Sequence, residues 1–389
     1  MATTIPDNGM SALRAKYANR DQFVTISNTE RQVLGHVLRG SAVTQAAVTR
    51  SMPISQQSAS RLVASLVNHR LLETTELVSE GRRGKPTTTL KLRPDVMYSV
   101  GFTVMADTVT FALLNFGGNV LAESQHKLPS MQPDAVLETC RSVFAKHVDG
   151  ANIDPERVFG IGVAVTGYFV PDKPGFNTPP SLPEWAFLDV EKRFSDTFDL
   201  PVWVENDGNA AAIGESMIGV GRWARNFAYI YVSSGLGGGV VMDGELMRGD
   251  LGNAGEFAGM LPYNVYPHPT LELLRQLCCK DGIMIESIYD LVTQFDPDWP
   301  CVDEWVHKTQ GAYSLIASAA SAVLDCTAIV LGGRMPRALA ERLIPSIEFY
   351  RTPRRSHTRP TPKIVPAEAE GEVTAIGAAT LPLRAMYFW

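Results

Sequence analysis

The sequence predicts an α/β protein in two parts: an N-terminal winged helix-turn-helix and a larger body of two similar lobes. Three observations carry this. Residues 1–95 hold 13 Lys and Arg against 7 Asp and Glu, a net +6, whereas the remainder carries −12 within an overall −6. That basic segment contains three short helical patterns and then two β-prone runs. Beyond it, a group of short strands followed by a helix and a buried-type strand occurs twice. The chain is 389 residues long, 45% hydrophobic and 20% charged. It is long enough for two or three packed units and too apolar for disorder.

The first helix is read from "SNTERQVLGHVLRG". Ser27 and Glu30 form a capping box, Val33, Leu34, Val37 and Leu38 make one apolar face, and Gly40 can end it. A second short helix runs from about Thr44 to Arg50. Ser55 then caps a third, in which Ala59, Leu62, Val63 and Leu66 repeat at helical spacing. The leading edge of this third helix presents Gln56, Gln57, Ser60 and Arg61, side chains that can bond base edges and phosphates. The β-prone runs that follow flank a Gly-rich basic loop with Arg82, Arg83 and Lys85. Helix three fits the major groove, and the wing fits the backbone or the minor groove. The competing reading is a helical protein-interaction domain with a solvated basic loop. The order of elements together with the local charge favours DNA as the partner.

From about residue 97, "MYSVGFTVMADTVTFALLNFGGNVLAES" reads as strands with turns at Ala106–Asp107 and Gly117–Gly118. A helix over about Pro133–His147 and the strand "VFGIGVAV" follow. The second half repeats the scheme in "FAYIYVSSGLGGGVVMDGELMRG", with Asp243–Gly244 as the hairpin signal, and closes on "TAIVLGG". Two such halves facing one another describe the actin-like, sugar-kinase-like (ribonuclease H-like) architecture, with a cleft between lobes. The expected divisions are 1–95 for the winged helix, 96–205 plus a C-terminal helix at about 373–389 for one lobe, and 206–372 for the other.

No apolar run reaches the length of a membrane span, and the N-terminus lacks the order of a signal peptide. A cytoplasmic protein without a membrane partner is therefore expected. The five cysteines, Cys140, Cys278, Cys279, Cys301 and Cys326, are odd in number and lack metal-ligand spacing, so they read as reduced and structural.

The body resembles the ROK family (repressors, open reading frames, kinases). The matching pieces are "VENDGNAAAIGE" (204–215), "SSGLGGGVVMDGELMRG" (233–249), "GNAGEF" (252–257), "IVLGG" (329–333) and "AIGAATLPL" (375–383). The winged helix ahead of them is similar to the family's repressor branch. The resemblance implies that Asp207 stands at the position of the catalytic base and Asn206 beside it at a sugar contact. Glu256 falls at a sugar-binding glutamate, and Glu272 is aligned with a second across an altered loop. Gly235, Gly237, Gly238 and Gly239, with Gly332 and Gly333, correspond to a nucleotide-binding glycine loop.

Departures from the family pattern weigh against phosphoryl transfer. Thr103 stands where an Asp that helps hold metal and phosphate is expected, and Met105 where a Gly admits the phosphate. A neutral hydroxyl lacks the charge, and a methionine side chain obstructs the approach. Gly259 replaces the family's His, the Cys-rich zinc loop is absent, and neither Cys278–Cys279 nor His268 supplies a ligand set. The expectation is no zinc, no metal site and no working ATP–Mg site, with Asp207 vestigial as a base. The reading is then a sugar-responsive transcriptional regulator, a repressor of carbohydrate genes, binding operator DNA as a homodimer or dimer of dimers. Two alternatives stay open: an active ATP-dependent sugar kinase with an appended DNA-binding domain, and a dimerisation scaffold with no small ligand. The tail "LPLRAMYFW" reads as a docked segment or a subunit contact.

Overall fold

The structure, a computed structural model, describes residues 24–40, 43–77, 87–262, 264–350 and 359–388. The winged helix comes first. α1 (Asn28–Arg39) begins at the expected capping box: the Ser27 hydroxyl accepts from the Glu30 N–H at 3.3 Å, and a Glu30 oxygen accepts from the Ser27 N–H at 2.8 Å. Glu30 also accepts from the Ser65 hydroxyl at 2.7 Å, so one carboxylate both starts α1 and ties it to the third helix. β1 (Val43–Thr44) leads into α2 (Gln45–Ser51), capped by Thr44, and α3 (Gln56–Asn68), capped by Ser55. β2 (Leu72–Leu77) and β3 (Thr87–Leu92) pair antiparallel, and β1 adds to the far side of β3.

The first body sheet contains β4 (Tyr98–Val104), β5 (Thr108–Asn115) and β6 (Val120–Lys127) as an antiparallel meander. α4 (Pro133–Gly150) crosses back to β7 (Val158–Val165), which lies parallel to β4. β8 (Tyr168–Phe169) and β9 (Phe176–Asn177) form a two-stranded ribbon. α5 (Val190–Phe198) leads to β10 (Val202–Asn206), parallel to β7, giving the order β10-β7-β4-β5-β6. α6 (Asp207–Ile218) leaves directly from the end of β10.

The second sheet repeats this plan. β11 (Phe227–Val232), β12 (Leu236–Met242) and β13 (Glu245–Met247) form the meander. Asp243 and Gly244, with φ of 54° and 81°, make the expected two-residue turn. After α7 (Leu271–Lys280), α8 (Ile288–Gln294) and α9 (Pro300–Leu324) come β14 (Ala328–Gly333), α10 (Arg337–Leu343) and β15 (Lys363–Pro366). β14 is parallel to β11 and β15 to β14, so the order is β13-β12-β11-β14-β15, the same topology as the first sheet. The two parallel strands behind each meander make the halves equivalent, and β15 has no counterpart in the sequence reading.

α11 (Val373–Met386) returns to the first lobe and lies across β4 and β7 and against α6. The approach is backbone to backbone: a Cβ at Gly377 would stand 1.7 Å from the Ala210 carbonyl oxygen, and one at Gly162 1.8 Å from that of Ala378. The C-terminal aromatics are docked. Tyr387 and Phe388 share a buried cluster with Val33, Leu34 and Val37 of α1. No described helix is long and apolar enough to cross a membrane.

Two substitutions follow from these contacts. Gly377→Ala forces α6 and α11 apart and is expected to destabilise the body by about 1–3 kcal/mol, the usual range for overpacking. Ser27→Ala removes a helix cap and is expected to cost about 1 kcal/mol. Chemical denaturation followed by circular dichroism measures both, and an unchanged midpoint in Gly377→Ala would contradict the described packing.

Candidate functional site

The cleft between the sheets is best described from its two ends. At one end, β10 stops and α6 starts. Asn206 is the N-cap of α6: its Oδ1 accepts from the Asn209 N–H at 3.0 Å, and its Nδ2 donates to the Gly167 carbonyl at 2.6 Å and to Asp207 at 3.1 Å. Asp207 is therefore the first helical residue rather than the cap. Its carboxylate is buried, accepting from the Thr166 hydroxyl at 2.7 Å and the Gly208 N–H at 2.9 Å. Burial raises its pKa, and these bonds oppose the rise.

Glu256 sits in the turn after β13. Its carboxyl is pushed up to about 7, first by burial and second by the negative charge of Asp207. The structure thus brings Asn206, Asp207 and Glu256 together as a group of acceptors. It does not join Glu272 to them. That residue lies in the first turn of α7, where its carboxylate accepts two bonds from Arg275, each 2.8 Å, and one from Gln276 at 3.0 Å. These partners hold its carboxyl below the usual range, the Arg275 hydrogen bond first.

Several residues that support this group were not found by sequence reasoning. Glu205 is buried behind Asn206. One of its oxygens accepts from the Asn206 N–H and from Asn209 Nδ2, at 3.0 and 3.1 Å. The other accepts from Arg248 Nε and Nη2, at 3.0 and 2.6 Å, which ties β10 to the strand end after β13. Asn253 acts like a piece of strand: its Oδ1 accepts from the Phe169 N–H and its Nδ2 donates to the Phe169 carbonyl, both at 2.8 Å. Each lies inside or beside a quoted motif, but only the fold shows what it binds.

The glycine run is not a loop. Gly237, Gly238 and Gly239 are residues of β12, paired with Tyr231, Ile230 and Tyr229. A Cβ at Gly238 would lie 2.2 Å from the Tyr229 carbonyl oxygen, and one at Gly208 would lie 2.8 Å from that of Gly238. Tyr229 and the Phe257 ring leave Gly238 no room for a side chain, whereas close packing of α6 on β12 explains Gly208 and Gly239, whose Cβ would lie 2.8 Å from that of Ala212. Gly235 and Gly237, by contrast, face open space. Gly332 and Gly333 end β14, and the Gly333 N–H donates to the Tyr229 hydroxyl at 2.8 Å.

The other end of the cleft is bridged by protein. Thr103 is fully buried, and its hydroxyl has no hydrogen-bond partner among the described residues. Met105 is buried, and its Sδ accepts from the Tyr231 hydroxyl at 3.7 Å. Asp107, in the β4–β5 turn, accepts from Arg334 Nη1 at 2.6 Å and from the Tyr289 N–H at 2.8 Å. Lys127 and Asp290 pair at 2.8 Å nearby.

On the winged helix, Gln56, Gln57, Ser60 and Arg61 are all exposed along α3, and the Ser60 hydroxyl accepts from Gln45 Nε2 of α2. Arg82, Arg83 and Lys85 lie outside the described residues. Among those described, no group of three or more His, Cys, Asp and Glu could hold a metal ion. Gly259 and His268 are exposed. Cys278 has a neighbour that its sequence position hides: its Sγ lies 2.8 Å from that of Cys301, and both are buried free thiols.

Residues 25–83 match the MarR family and residues 100–279 the ROK family. The uncharacterized protein y4fQ of Sinorhizobium fredii is 25% identical over 364 residues, covering 93% of this chain and 92% of its own. The xylose repressor of Bacillus subtilis is 25% identical over 241 residues, covering 62% of each chain, so the match spans less than two thirds of that repressor. The crystal structure of a ROK family transcriptional regulator, a homolog of the E. coli MLC protein, shares the fold with a TM-score of 0.65. It is 21% identical, covering 92% of this chain and 96% of that one. Residues 100–279 are therefore a ROK family domain, with a MarR-type winged helix ahead of it.

Proposed function

We propose that this protein is a sugar-responsive transcriptional repressor. In this reading α3 and the wing bind operator DNA, a neutral monosaccharide binds at Asn206, Asp207 and Glu256, and no phosphoryl transfer occurs. The observation that carries it is the contrast between the two ends of the cleft. At one end the buried Asp207 and the half-buried Glu256 lie near enough to repel and can accept from sugar hydroxyls. At the other, side chains fill the place where a nucleotide's phosphates would go. Met105 is packed against Tyr231, and Asp107 is already bonded to Arg334 and Tyr289. The residues at this position do not fit ATP–Mg, because Asp107 is already paired with Arg334 and a thioether occupies the approach. The B. subtilis xylose repressor, matched over part of its length, supports both the effector class and the repressing role. Two-fold operators and paired recognition helices support a homodimer.

A thermal-shift screen of neutral monosaccharides, with and without ATP–Mg, tests the effector. One sugar is expected to raise Tm, by linkage worth about 2.7 kcal/mol at a hundredfold excess over Kd, and ATP–Mg to add nothing. Asp207→Asn should abolish the shift. Gel shifts on the protein's own upstream DNA test the other half, with release by the same sugar expected. No retained DNA at physiological salt sinks the repressor reading.

ADP release with ATP–Mg is expected to stay at background for every sugar. Turnover that disappears in Asp207→Asn would instead establish a kinase.

Glu256 gives a pH dependence. Its folded pKa, about 7, lies above the ordinary 4.5, so between those values the folded state binds the extra proton. Stability from this group therefore falls as pH rises through that window. Glu256→Gln is expected to be more stable than the parent at pH 8, equal to it near pH 4, and weaker in sugar binding. Melting curves across that range check the sign, and a variant less stable at pH 8 contradicts it.

A further inference from the structure

We infer that Glu245, the first residue of β13, carries the position of the second lobe to the DNA-binding head. This rests on the regulator reading and identifies the contact through which the cleft acts on DNA. The two lobes hold the head by different means. The first lobe holds it through an apolar core: Phe116 stacks on Phe388 at 5.1 Å and meets Tyr387 edge-on at 5.5 Å, within the cluster that includes Val33, Leu34 and Val37. Arg31 of α1 reinforces this by donating to the carbonyls of Arg384 and Phe388, at 2.8 and 3.1 Å. Densely packed interfaces of this kind move as units.

The second lobe reaches the same place at the Glu245 carboxylate, with Arg225 near enough to His36 and Arg39 to act on both. Glu245 accepts from Arg384 of α11 and pairs with Arg39 of α1 at 3.6 Å. Arg39 and Glu245 are 43% and 40% exposed, so their contact is solvated and readily exchanged. A tight grip from one lobe and a loose one from the other make an arrangement in which relative lobe motion changes only the loose contact. Such motion has a control point at the far end of the cleft. There the lobes meet at Asp107–Arg334, where the Arg334 side chain is only 8% exposed, and at Lys127–Asp290. α11 spans the distance, its 14 residues measuring about 21 Å at the helical rise. Its N-cap, Glu372, lies close enough to Arg334 to feel that charge. Its other end carries Arg384, Tyr387 and Phe388. Releasing the Asp107–Arg334 pair lets the second lobe turn against α11, and the head registers this at Glu245.

A double-mutant cycle tests the coupling without any effector. Arg334→Met, Glu245→Gln and the double variant are compared by operator affinity and by hydrogen exchange at the amides of Val33–Val37. Arg334→Met is expected to shift operator Kd on the order of fivefold or more and to change exchange in α1. In the Glu245→Gln background its effect should shrink to about twofold or less, the spread of uncoupled sites. Equal effects in both backgrounds, or no effect of Arg334→Met on either readout, overturns the proposal. If Glu245→Gln is misfolded by circular dichroism, Arg39→Ala removes the same pair from the head side. If the wild-type protein binds no operator, the regulator reading fails, and hydrogen exchange alone still decides the coupling.

Discussion

The closeness of α11 to α6 and to the first sheet is the constraint on which the rest of the molecule depends. Helix and sheet backbones meet without intervening side chains because Gly101, Gly162 and Gly377 lie at the crossings. Any of these as an L-residue would place a Cβ within 2 Å of a carbonyl oxygen. The close approach fixes where the helix ends fall. At its N-terminus Thr374 bonds the Tyr231 hydroxyl under the cleft, and at its C-terminus Tyr387 and Phe388 enter the core of the winged helix. A helix spaced further off by ordinary side chains would miss one target or the other.

The two ends of the cleft illustrate how burial changes the meaning of a charge. Asp107 and Arg334 are both largely withdrawn from water, a costly state that mutual pairing and the Tyr289 N–H offset. Such a pair adds little net stability but strongly prefers one geometry, which suits a contact between lobes. Asp207 is buried and Glu256 half-buried near it. Desolvation raises both pKa values, and the charge of Asp207 raises that of Glu256 further, so the site is stabilised by anything that donates hydrogen bonds to them. One end holds the lobes by an internal ion pair, and the other holds unspent acceptor capacity.

Local physics was legible in the sequence and distant pairing was not. Ser27 and Glu30, three residues apart, announce α1 because the capping box is made within one turn. Asp243–Gly244 announces the β12–β13 hairpin because the turn itself demands left-handed backbone. The meanders β4–β6 and β11–β13 follow from such turns. β15 escaped because four half-buried residues carry no periodicity, and only its pairing with β14 defines it. Gly237–Gly239 looked like a loop because glycine is scarce in strands, yet Gly239 is needed where β12 meets Ala212 of α6, and that contact lies 27 positions away in sequence. Glu205 and Arg248 sat in quoted motifs, but their bond spans 43 positions. Asp107 and Arg334 are 227 apart, and nothing near either names the other. Thr103 and Met105 stood out in the sequence only as departures from a family pattern, and only the fold shows the interlobe contacts of Met105 with Tyr231 and Asp107 with Arg334.

α6 gives the proposed ligand site at Asp207 a physical route to α11. Asp207 is the first residue of α6, and Glu215, two turns on, is fully buried in the same helix. One Glu215 oxygen accepts from the N–H groups of Val220 and Glu368 at 2.9 and 2.8 Å, and the other from Ala369 at 3.1 Å. Residues 368 and 369 belong to the segment that leads from β15 into α11. Burial raises the Glu215 carboxyl while these amides hold it down, so the bonds are charge-assisted in a dry environment. Together with the Gly377–Ala210 and Gly214–Val373 contacts, they fasten α6 to α11 at both ends of the shared interface. The two helices form one rigid element with Asp207 at one extremity and the winged-helix core at the other. At the C-terminal end of α11 that element meets two contacts of different strength, the aromatic cluster around Phe116, which holds it, and Glu245, whose solvated pair with Arg39 yields.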